Sequence, residues 1–425
     1  MPRKSRTTVA LLIAAACIAA LALAGCQRKG IEELVSDELF QISLGKMEDQ
    51  VDLFQFENAM VERSNTVYMR DGWFYIANGS AGKIMVFTSY GDLIFLLYNP
   101  QTNPAPTTLG PAVPSNGTDE ASTRGFVAYP FADIGKIAVA SDRTLYVEDA
   151  VSDARTVKDT EHGVLLSRVI LRFDRKGRQL GYIGQEGIGG TPFPFVFSLS
   201  VTANDQLVVV CRYPDGLWKV FWYSRDGVPL YQVEIGDKNL PFRAQKGTRA
   251  VLTNIVADQQ SPALYLVIYT YRDSVETSSS AASSAGGSSP ATLSAAGDVV
   301  SRAYRLDLHS QQYSSRFVEF PQNPPHREKE GLKTTEIPSP PSDLLGVSAG
   351  GYFYLLAYTD TNLYTLQILD TSGRVRARRH VVIEDSGLAF RDLHLSPTGI
   401  LYGILADRTA AHISWWRSDL LLKGE

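Results

Sequence analysis

After its N-terminal part the chain consists of short apolar segments separated by polar turns. Within these segments apolar positions either alternate with polar ones or run continuously over a few residues, a pattern that predicts β-strands and not helices. The segments recur as one phrase of four strands, with a tight turn before the last strand. The five complete copies of this phrase span residues 67–97, 136–183, 198–235, 253–320 and 344–382.

A sixth copy holds three strands, at 393–395, 400–405 and 412–416. Residues 39–44 form a strand pattern without a sheet of their own, and they can supply the missing fourth strand. Such a borrowed strand closes a propeller ring and leaves no open edge in the last blade. The sequence therefore predicts an all-β fold, a six-bladed β-propeller whose ring is closed by an N-terminal strand joining the C-terminal blade. Two separate β-sandwiches are the alternative, although sandwiches do not repeat one four-strand phrase along a whole chain.

The lengths of the connections differ between the two predicted faces of this propeller. Turns between first and second strands, and between third and fourth strands, lie on one face and are short, with Gly or Asp in tight turns such as 90–92 and 225–227. The other connections lie on the opposite face and carry every long insertion: 98–132, 150–166, 236–249, 270–300 and 321–343. We call the first the bare face and the second the crowned face. Binding loops grow from one side of a rigid scaffold, so the crowned face is the expected functional side.

Two of the insertions have compositions typical of flexible loops. Residues 274–297 are rich in Ser, Ala and Gly with few apolar side chains, and residues 98–125 are rich in Pro, Thr, Asn and Gly. We expect both to be flexible.

The second copy of the phrase, which is predicted blade 2, resembles a known family of repeats. Its segments 137–147 (IAVASDRTLYV), 169–177 (VILRFDRKG) and 182–187 (YIGQEG) resemble NHL-type propeller repeats. The whole chain, from LAGC at 23–26 to WWRSD at 415–419, is similar to uncharacterised spirochaete-type bacterial lipoproteins with a predicted NHL-like β-propeller. This resemblance implies a bacterial envelope location and supplies no activity.

The first 26 residues have the layout of a secretory signal peptide, with a basic head (Arg3, Lys4, Arg6) and an apolar run at 9–24. The run ends in LAGC, which resembles a lipobox, where Cys26 would become the new N-terminus and carry acyl chains such as palmitate. The expected organisation is a lipoprotein signal peptide at 1–25, a lipidated tether at 26–37 and a propeller at 38–425. An ordinary signal peptide with a chance cysteine is the alternative.

The lipobox predicts a protein that is lipid-anchored in the cell membrane or outer membrane and is periplasmic or surface-exposed. Because the tether leads into the closing strand, we expect the anchor beside the bare face and the crowned face directed away from the membrane.

The net charge limits the class of partner, and the cysteine count excludes an internal disulfide. The formal net charge is -4, and removal of the three basic signal residues takes it to about -7. Such an acidic body argues against nucleic acid as a partner. Cys17 leaves with the signal and Cys26 takes lipid, so Cys211 remains alone and cannot form an internal disulfide.

Recognisable catalytic motifs are absent from the sequence: it has no His-Glu-x-x-His, no paired-Cys zinc spacing and no nucleophile elbow. We therefore predict no catalytic residue, no metal site and no cofactor. Asp392 and His394, on a first strand, are the best candidates for a metal in an axial channel, although a polar pair in a wet channel is the simpler interpretation. Glu148 and Asp149 could cap a turn just as well as act in catalysis.

The binding candidates are Arg and Tyr side chains where second strands end on the crowned face, since these residue types dominate binding hot spots. They are Arg212, Tyr213, Tyr271, Arg272, Tyr358 and Arg408. The predicted function is a non-enzymatic binding scaffold, tethered to the lipid bilayer, with a protein, peptide or glycan ligand in the envelope. A metal-dependent six-bladed propeller hydrolase or lyase is the alternative.

Overall fold

A computed structural model describes residues 31–53, 65–112, 124–241, 248–272, 299–323, 326–330, 333–337 and 339–423. Its strands form six blades, each with four antiparallel strands in the order that the sequence predicts, and a fifth short strand is added to two of them. Blade 1 consists of Asn65–Arg70, Trp73–Asn78, Lys83–Thr88 and Leu93–Tyr98. Blade 2 consists of Ile137–Val139, Leu145–Ala150, Arg168–Phe173 and Gln179–Gly184. Blade 3 consists of Val196–Val201, Leu207–Arg212, Trp218–Tyr223 and Pro229–Ile235.

The second half of the ring has the same organisation. Blade 4 consists of Thr248–Ala257, Ala263–Arg272, Val300–Asp307 and Gln312–Glu319. Blade 5 consists of Asp343–Val347, Phe353–Asp360, Leu363–Leu369 and Val375–Val382. Blade 6 consists of Phe390–Leu395, Leu401–Ala406, Ala410–Trp416 and the closing strand Asp37–Ser43. The protein is a six-bladed β-propeller, and the predicted fold is confirmed.

The core lies between the blades. Each of six clusters of buried side chains joins two neighbouring blades, including one between blades 6 and 1. Second and third strands are covered on both sides, which explains why segments such as 207–211 (LVVVC) are continuously apolar. Apolar side chains buried between neighbouring blades therefore stabilise the ring.

The closing strand pairs antiparallel with the last strand of the chain. The register runs from Asp37 opposite Trp415 to Ser43 opposite Ala410. Ile42 is only 2% exposed, within the cluster between blades 6 and 1. The ring closes as predicted, by one strand from the N-terminal side of the sequence.

The two faces differ as the connection lengths predict. The closing strand begins at Asp37, on the bare face, where third-to-fourth turns lie. The crowned face carries a hairpin after the second strand of blade 2 (Val157–Asp159 and Val164–Leu166) and another after blade 4 (His326–Glu330 and Lys333–Ile337).

Smaller elements complete the described chain. Gly125–Ala128 pairs parallel with the fourth strand of blade 1, and Gly187–Ile188 extends blade 2. Short 3-10 turns lie at Asp153–Arg155, Asp237–Asn239, Asp385–Gly387 and Ser418–Leu422. Among the described residues there is no helix with the length and apolar character needed to cross a bilayer.

The expectation of a flexible insertion at 98–125 is wrong for its described part, residues 98–112. Leu109 is 5% exposed, and the Asn99 side-chain amide donates to the carbonyl oxygen of Phe131 (N···O 2.9 Å). The buried Glu48 carboxylate accepts hydrogen bonds from the N–H groups of Thr107 and Thr108, each at 2.8 Å. Asn and Thr side chains of this loop form hydrogen bonds with backbone groups, which would otherwise be hydrogen-bonded to water. The second loop predicted to be flexible, 274–297, lies outside the described residues.

Candidate functional site

The axial channel holds a polar triad at the junction of blades 6 and 1. His394 Nε2 lies 2.7 Å from Asp392 Oδ2, and the Thr66 hydroxyl donates to the same carboxylate oxygen at 2.8 Å. Burial alone would raise the pKa of Asp392, but the His394 ring and the Thr66 hydroxyl outweigh it, so the pKa lies below its ordinary value. These contacts join the first strands of the two blades.

The channel around this triad is a cavity of about 360 Å³ lined by first strands from all six blades. Its lining includes Lys136, Ser200 and Asn254 as well as Asp392 and His394. No group of three or more His, Cys, Asp or Glu side chains among the described residues is placed to share a metal ion. Asp392 and His394 therefore contact each other and a hydroxyl, without a third metal-binding side chain from the described chain.

Glu148 and Asp149 cap backbone N–H groups at the crowned end of blade 2. Asp149 Oδ1 accepts from the N–H of Asp133 (2.7 Å) and of Ala132 (3.1 Å), and Glu148 accepts from the N–H of Lys136 (2.9 Å). Burial raises the pKa of both carboxyls against the opposing effect of these hydrogen bonds. Their arrangement fits the capping interpretation.

A groove on the crowned face lies between blades 2 and 3, and we call it the crown groove. It is a cavity of about 410 Å³ with both apolar and polar lining residues. Its lining residues are Val164, Leu165, Pro194, Phe195, Arg212, Tyr213 and Pro214. The hairpin of blade 2 supplies one wall, and the end of the second strand of blade 3 supplies the other.

Two large apolar side chains of the crown groove are open to solvent. Leu165 is 62% exposed and Phe195 is 64% exposed. The Arg212 N–H donates to the carbonyl oxygen of Phe195 at 3.2 Å, which holds Phe195 beside the end of the second strand of blade 3. Exposed apolar side chains that line one concave surface are typical of an interaction site.

Arg212 is the charged residue of the crown groove. Its guanidinium lies 5.3 Å from the Trp218 ring and forms no ion pair among the described residues. Arg212 also lines a larger depression between blades 3 and 4, with Lys238 and Arg249. A ligand in either cavity would thus meet the same guanidinium.

Tyr213 forms the floor of the crown groove and is only 2% exposed, so its ring is not the accessible rim residue that a hot spot requires. The His162 ring packs edge-on against it with centroids 4.8 Å apart, and Lys219 Nζ lies 5.1 Å from its centre. The Tyr213 hydroxyl is buried and has no hydrogen-bond partner among the described residues. Burial raises the pKa of Tyr213, so this hydroxyl is neutral and can donate a hydrogen bond.

The remaining binding candidates are spread over other blades. Tyr271 on blade 4 and Tyr358 on blade 5 are 36% and 37% exposed, and Arg408 on blade 6 is exposed. The backbone of Arg272 pairs with Thr248, whereas its side chain lies outside the description. The structure brings Arg212 and Tyr213 into one cavity and does not bring the other four to it.

Leu165, Phe195 and the two prolines beside them were not predicted from the sequence. Phe195 belongs to the segment TPFPF at 191–195, where apolar side chains continue in the connection between blades 2 and 3. That segment was the available signal, because an apolar run outside the repeating phrase needs a separate explanation.

Comparison with known proteins adds only distant likenesses. No protein family matches the sequence. No curated protein matches it either. A solved streptogramin B lyase is 12% identical, with 89% of this chain and 97% of that chain covered and a TM-score of 0.35. A PL25 ulvan lyase is 8% identical (88% and 94% covered, TM-score 0.37), and the calcium-binding protein regucalcin from Agrobacterium tumefaciens is 8% identical (83% and 88% covered, TM-score 0.33). At this distance neither lyase activity nor calcium binding follows for this chain.

Proposed function

We propose that this protein is a lipid-anchored, non-enzymatic binding protein of the bacterial cell envelope, and that it captures a peptide segment in the crown groove. The observation that carries the proposal is the conjunction of exposed Leu165 and Phe195 with Arg212, which has no ion-pair partner among the described residues, in one cavity. The proposed location rests on the signal-peptide and lipobox pattern of residues 1–26, which lie outside the described residues.

The chemistry of the groove favours an apolar side chain next to a carboxylate or carbonyl oxygen. Leu165 and Phe195 offer apolar area, worth about 25 cal/mol for each Å² removed from water. Arg212 offers guanidinium N–H donors that no carboxylate of the described chain occupies. An acidic peptide with an apolar anchor residue satisfies both walls at once, since charge-assisted hydrogen bonds are among the stronger ones.

Selection from a peptide library on the purified protein tests the groove. We expect enriched peptides that carry an apolar residue beside an acid, with binding weakened about ten-fold or more in Phe195→Ser and Arg212→Gln. Val228→Ser is the matched control, because Val228 is 56% exposed on a blade 3 turn of the bare face. Equal binding by all variants would exclude the crown groove as the site.

Two further measurements test the remaining parts of the proposal. Metabolic labelling with a radioactive fatty acid should mark the wild-type protein and not Cys26→Ala, and a labelled variant would contradict the proposed anchor. Stoichiometric calcium or zinc in the purified protein would instead favour the metal-dependent enzyme.

A further inference from the structure

Residues 31–36 lie against the outer strand of blade 5. The Leu34 N–H donates to the carbonyl oxygen of His380 (2.7 Å), and the His380 N–H donates to the carbonyl oxygen of Glu32 (2.9 Å). Leu34 also packs against the core cluster between blades 5 and 6. The chain from Glu32 onward is therefore hydrogen-bonded to the propeller. Only the first part of the predicted tether at 26–37 remains to span the distance between the lipid anchor and the propeller.

This attachment limits how far the protein can stand from its anchor. Four residues lie between Cys26 and Ile31, and the five residue steps from one to the other span at most roughly 18 Å when fully extended. The inference rests on the acylation of Cys26 proposed above. With that anchor in place, the surface around Ile31 cannot leave the vicinity of the lipid headgroups.

The surface around this attachment exposes apolar side chains. Val35 is 69% exposed, Leu420 is 50% exposed and Val375 is 41% exposed. The C-terminal turn that carries Leu420 contacts the outer strand of blade 5, and its Leu421 packs into the same core cluster as Leu34. These side chains therefore share one region at the junction of blades 5 and 6, which we call the anchor-side edge and define as residues 31–36, 374–379 and 417–423.

The charge of this region is opposite in sign to that of the chain. Residues 31–36, 374–379 and 417–423 contain six basic and three acidic residues, whereas the whole chain has a net charge of -4. Arg374 and Arg378 are exposed and form no ion pair among the described residues. An excess of basic residues in an acidic protein favours an anionic partner at this place.

We propose that the anchor-side edge is a docking surface for an anionic phospholipid bilayer. Leu420 and Val35 insert at the level of the headgroups, where apolar side chains leave water, and Arg374 and Arg378 lie against the phosphates. The acyl chains keep the protein on the membrane, and the anchor-side edge fixes which part of the propeller touches it.

Fluorescence quenching by lipid tests this contact in the full-length protein. Cys211 is fully buried and Cys26 is the acylated residue, so Leu420→Cys introduces one reactive thiol for an environment-sensitive dye. Phe195→Cys and Val228→Cys are matched controls, since both replace exposed apolar residues of blade 3. The protein is placed in vesicles of phosphatidylcholine and phosphatidylglycerol with a spin-labelled acyl chain as quencher, and mass spectrometry of the N-terminal peptide reports acylation.

We expect the Leu420→Cys label to be quenched at least about two-fold more than either control. Acylated protein with equal quenching at the three positions would overturn the docking surface and leave the anchor standing. Strong quenching at position 420 without acylation would overturn the anchor and keep the docking surface. Failure of both acylation and quenching would overturn both.

Charge reversal tests the requirement for anionic lipid. Arg374→Glu combined with Arg378→Glu should lower quenching of the Leu420→Cys label about two-fold or more, whereas Arg175→Glu on blade 2 should leave it unchanged. Vesicles of phosphatidylcholine alone should give the same reduction with the wild-type charges. Unchanged quenching in both cases would show that the surface docks without regard to lipid charge and would contradict the proposed ligand.

Discussion

At the scale of single residues, Arg143 adopts a left-handed backbone conformation that glycine prefers. It lies in the first-to-second turn of blade 2 at φ +69°, where blades 5 and 6 have Gly351 (φ +78°) and Gly399 (φ +90°). Its guanidinium lies 3.4 Å from the centre of the Trp73 ring on blade 1. The left-handed conformation costs about 1–2 kcal/mol for a residue with a Cβ, and the contact between neighbouring blades offsets it.

Two substitutions separate these effects. Arg143→Ala should destabilise the protein by about 1–2 kcal/mol, because it loses the cation–π contact and keeps the strain. Arg143→Gly should be about 1 kcal/mol less destabilising than Arg143→Ala, because glycine adopts positive φ without strain. Urea unfolding of the purified variants measures both. Equal stability of the Ala and Gly variants would show that the turn stores no strain.

Lys83 is a buried amine whose stability contribution depends on pH. Its side chain is fully buried, and Nζ donates to the carbonyl oxygen of Met47 at 2.6 Å. Burial lowers the pKa of Lys83 to about 8, against the opposing effect of Asp52 and neighbouring carboxylates. Between this pKa and the ordinary value of 10.5 the unfolded chain binds more protons than the folded one, so folding stability rises with pH.

We therefore expect the free energy of unfolding of the wild type, relative to Lys83→Met, to rise by about 2 kcal/mol between pH 8 and pH 10. The methionine variant keeps the length of the side chain and removes the titrating group. Paired urea titrations across this range measure the difference. A constant difference would mean that Lys83 has an ordinary pKa in the folded protein.

At the scale of elements, the closing strand is the one that joins the two ends of the described chain. Ile42 is buried between blades 6 and 1, whereas its neighbour Gln41 is exposed. Ile42→Ala should cost about 2–4 kcal/mol through lost burial and the cavity left behind. Gln41→Ala should change stability by less than about 0.5 kcal/mol. Thermal unfolding compares the pair, and similar small effects would mean that the ring is stable without its closing strand.

The strands could be predicted from the sequence because each one is a local pattern. The positions of the strands in all six blades, including the closing strand, follow from the alternation of apolar and polar residues, the Gly turns and the repeated four-strand phrase. Gly125–Ala128 was missed because its pairing is parallel to a strand across a long insertion, which no local pattern reports. The attachment of residues 31–36 to blade 5 was missed for the same reason, since Glu33 pairs with the distant His380.

The site was harder to predict than the fold. Strand ends gave Arg212 and Tyr213 correctly as crowned-face positions, but the sequence did not report that the ring of Tyr213 turns inward against His162. The exposed wall formed by Leu165 and Phe195 depends on the hairpin of blade 2 approaching blade 3. Which strand ends meet in one cavity is a property of the ring and of its insertions, and neither is encoded locally.

At the scale of the whole molecule, the strand order separates the anchor from the insertions. The closing strand begins on the bare face at Asp37, and the long connections leave from the other face. A strand of six residues is about 20 Å long, which gives the approximate distance between the two faces. The proposed lipid anchor therefore predicts that the bare face lies nearer the membrane and that the crown groove points away from it.

Energy transfer to a dye in the lipid headgroups measures this orientation. Blades 3 and 6 lie opposite each other in the ring, and each offers a matched pair of exposed positions: Asp226 (bare) with Asp215 (crowned), and Thr398 (bare) with Arg408 (crowned). A donor attached at each position through a cysteine substitution should transfer more energy from the bare-face member of both pairs, because transfer falls steeply with distance. Equal transfer from the two members of each pair would mean that the propeller stands on its anchor-side edge with both faces exposed alike. Greater transfer from the crowned members would place the crown groove against the membrane, where it could not receive a peptide from the envelope space, and would overturn the proposed orientation.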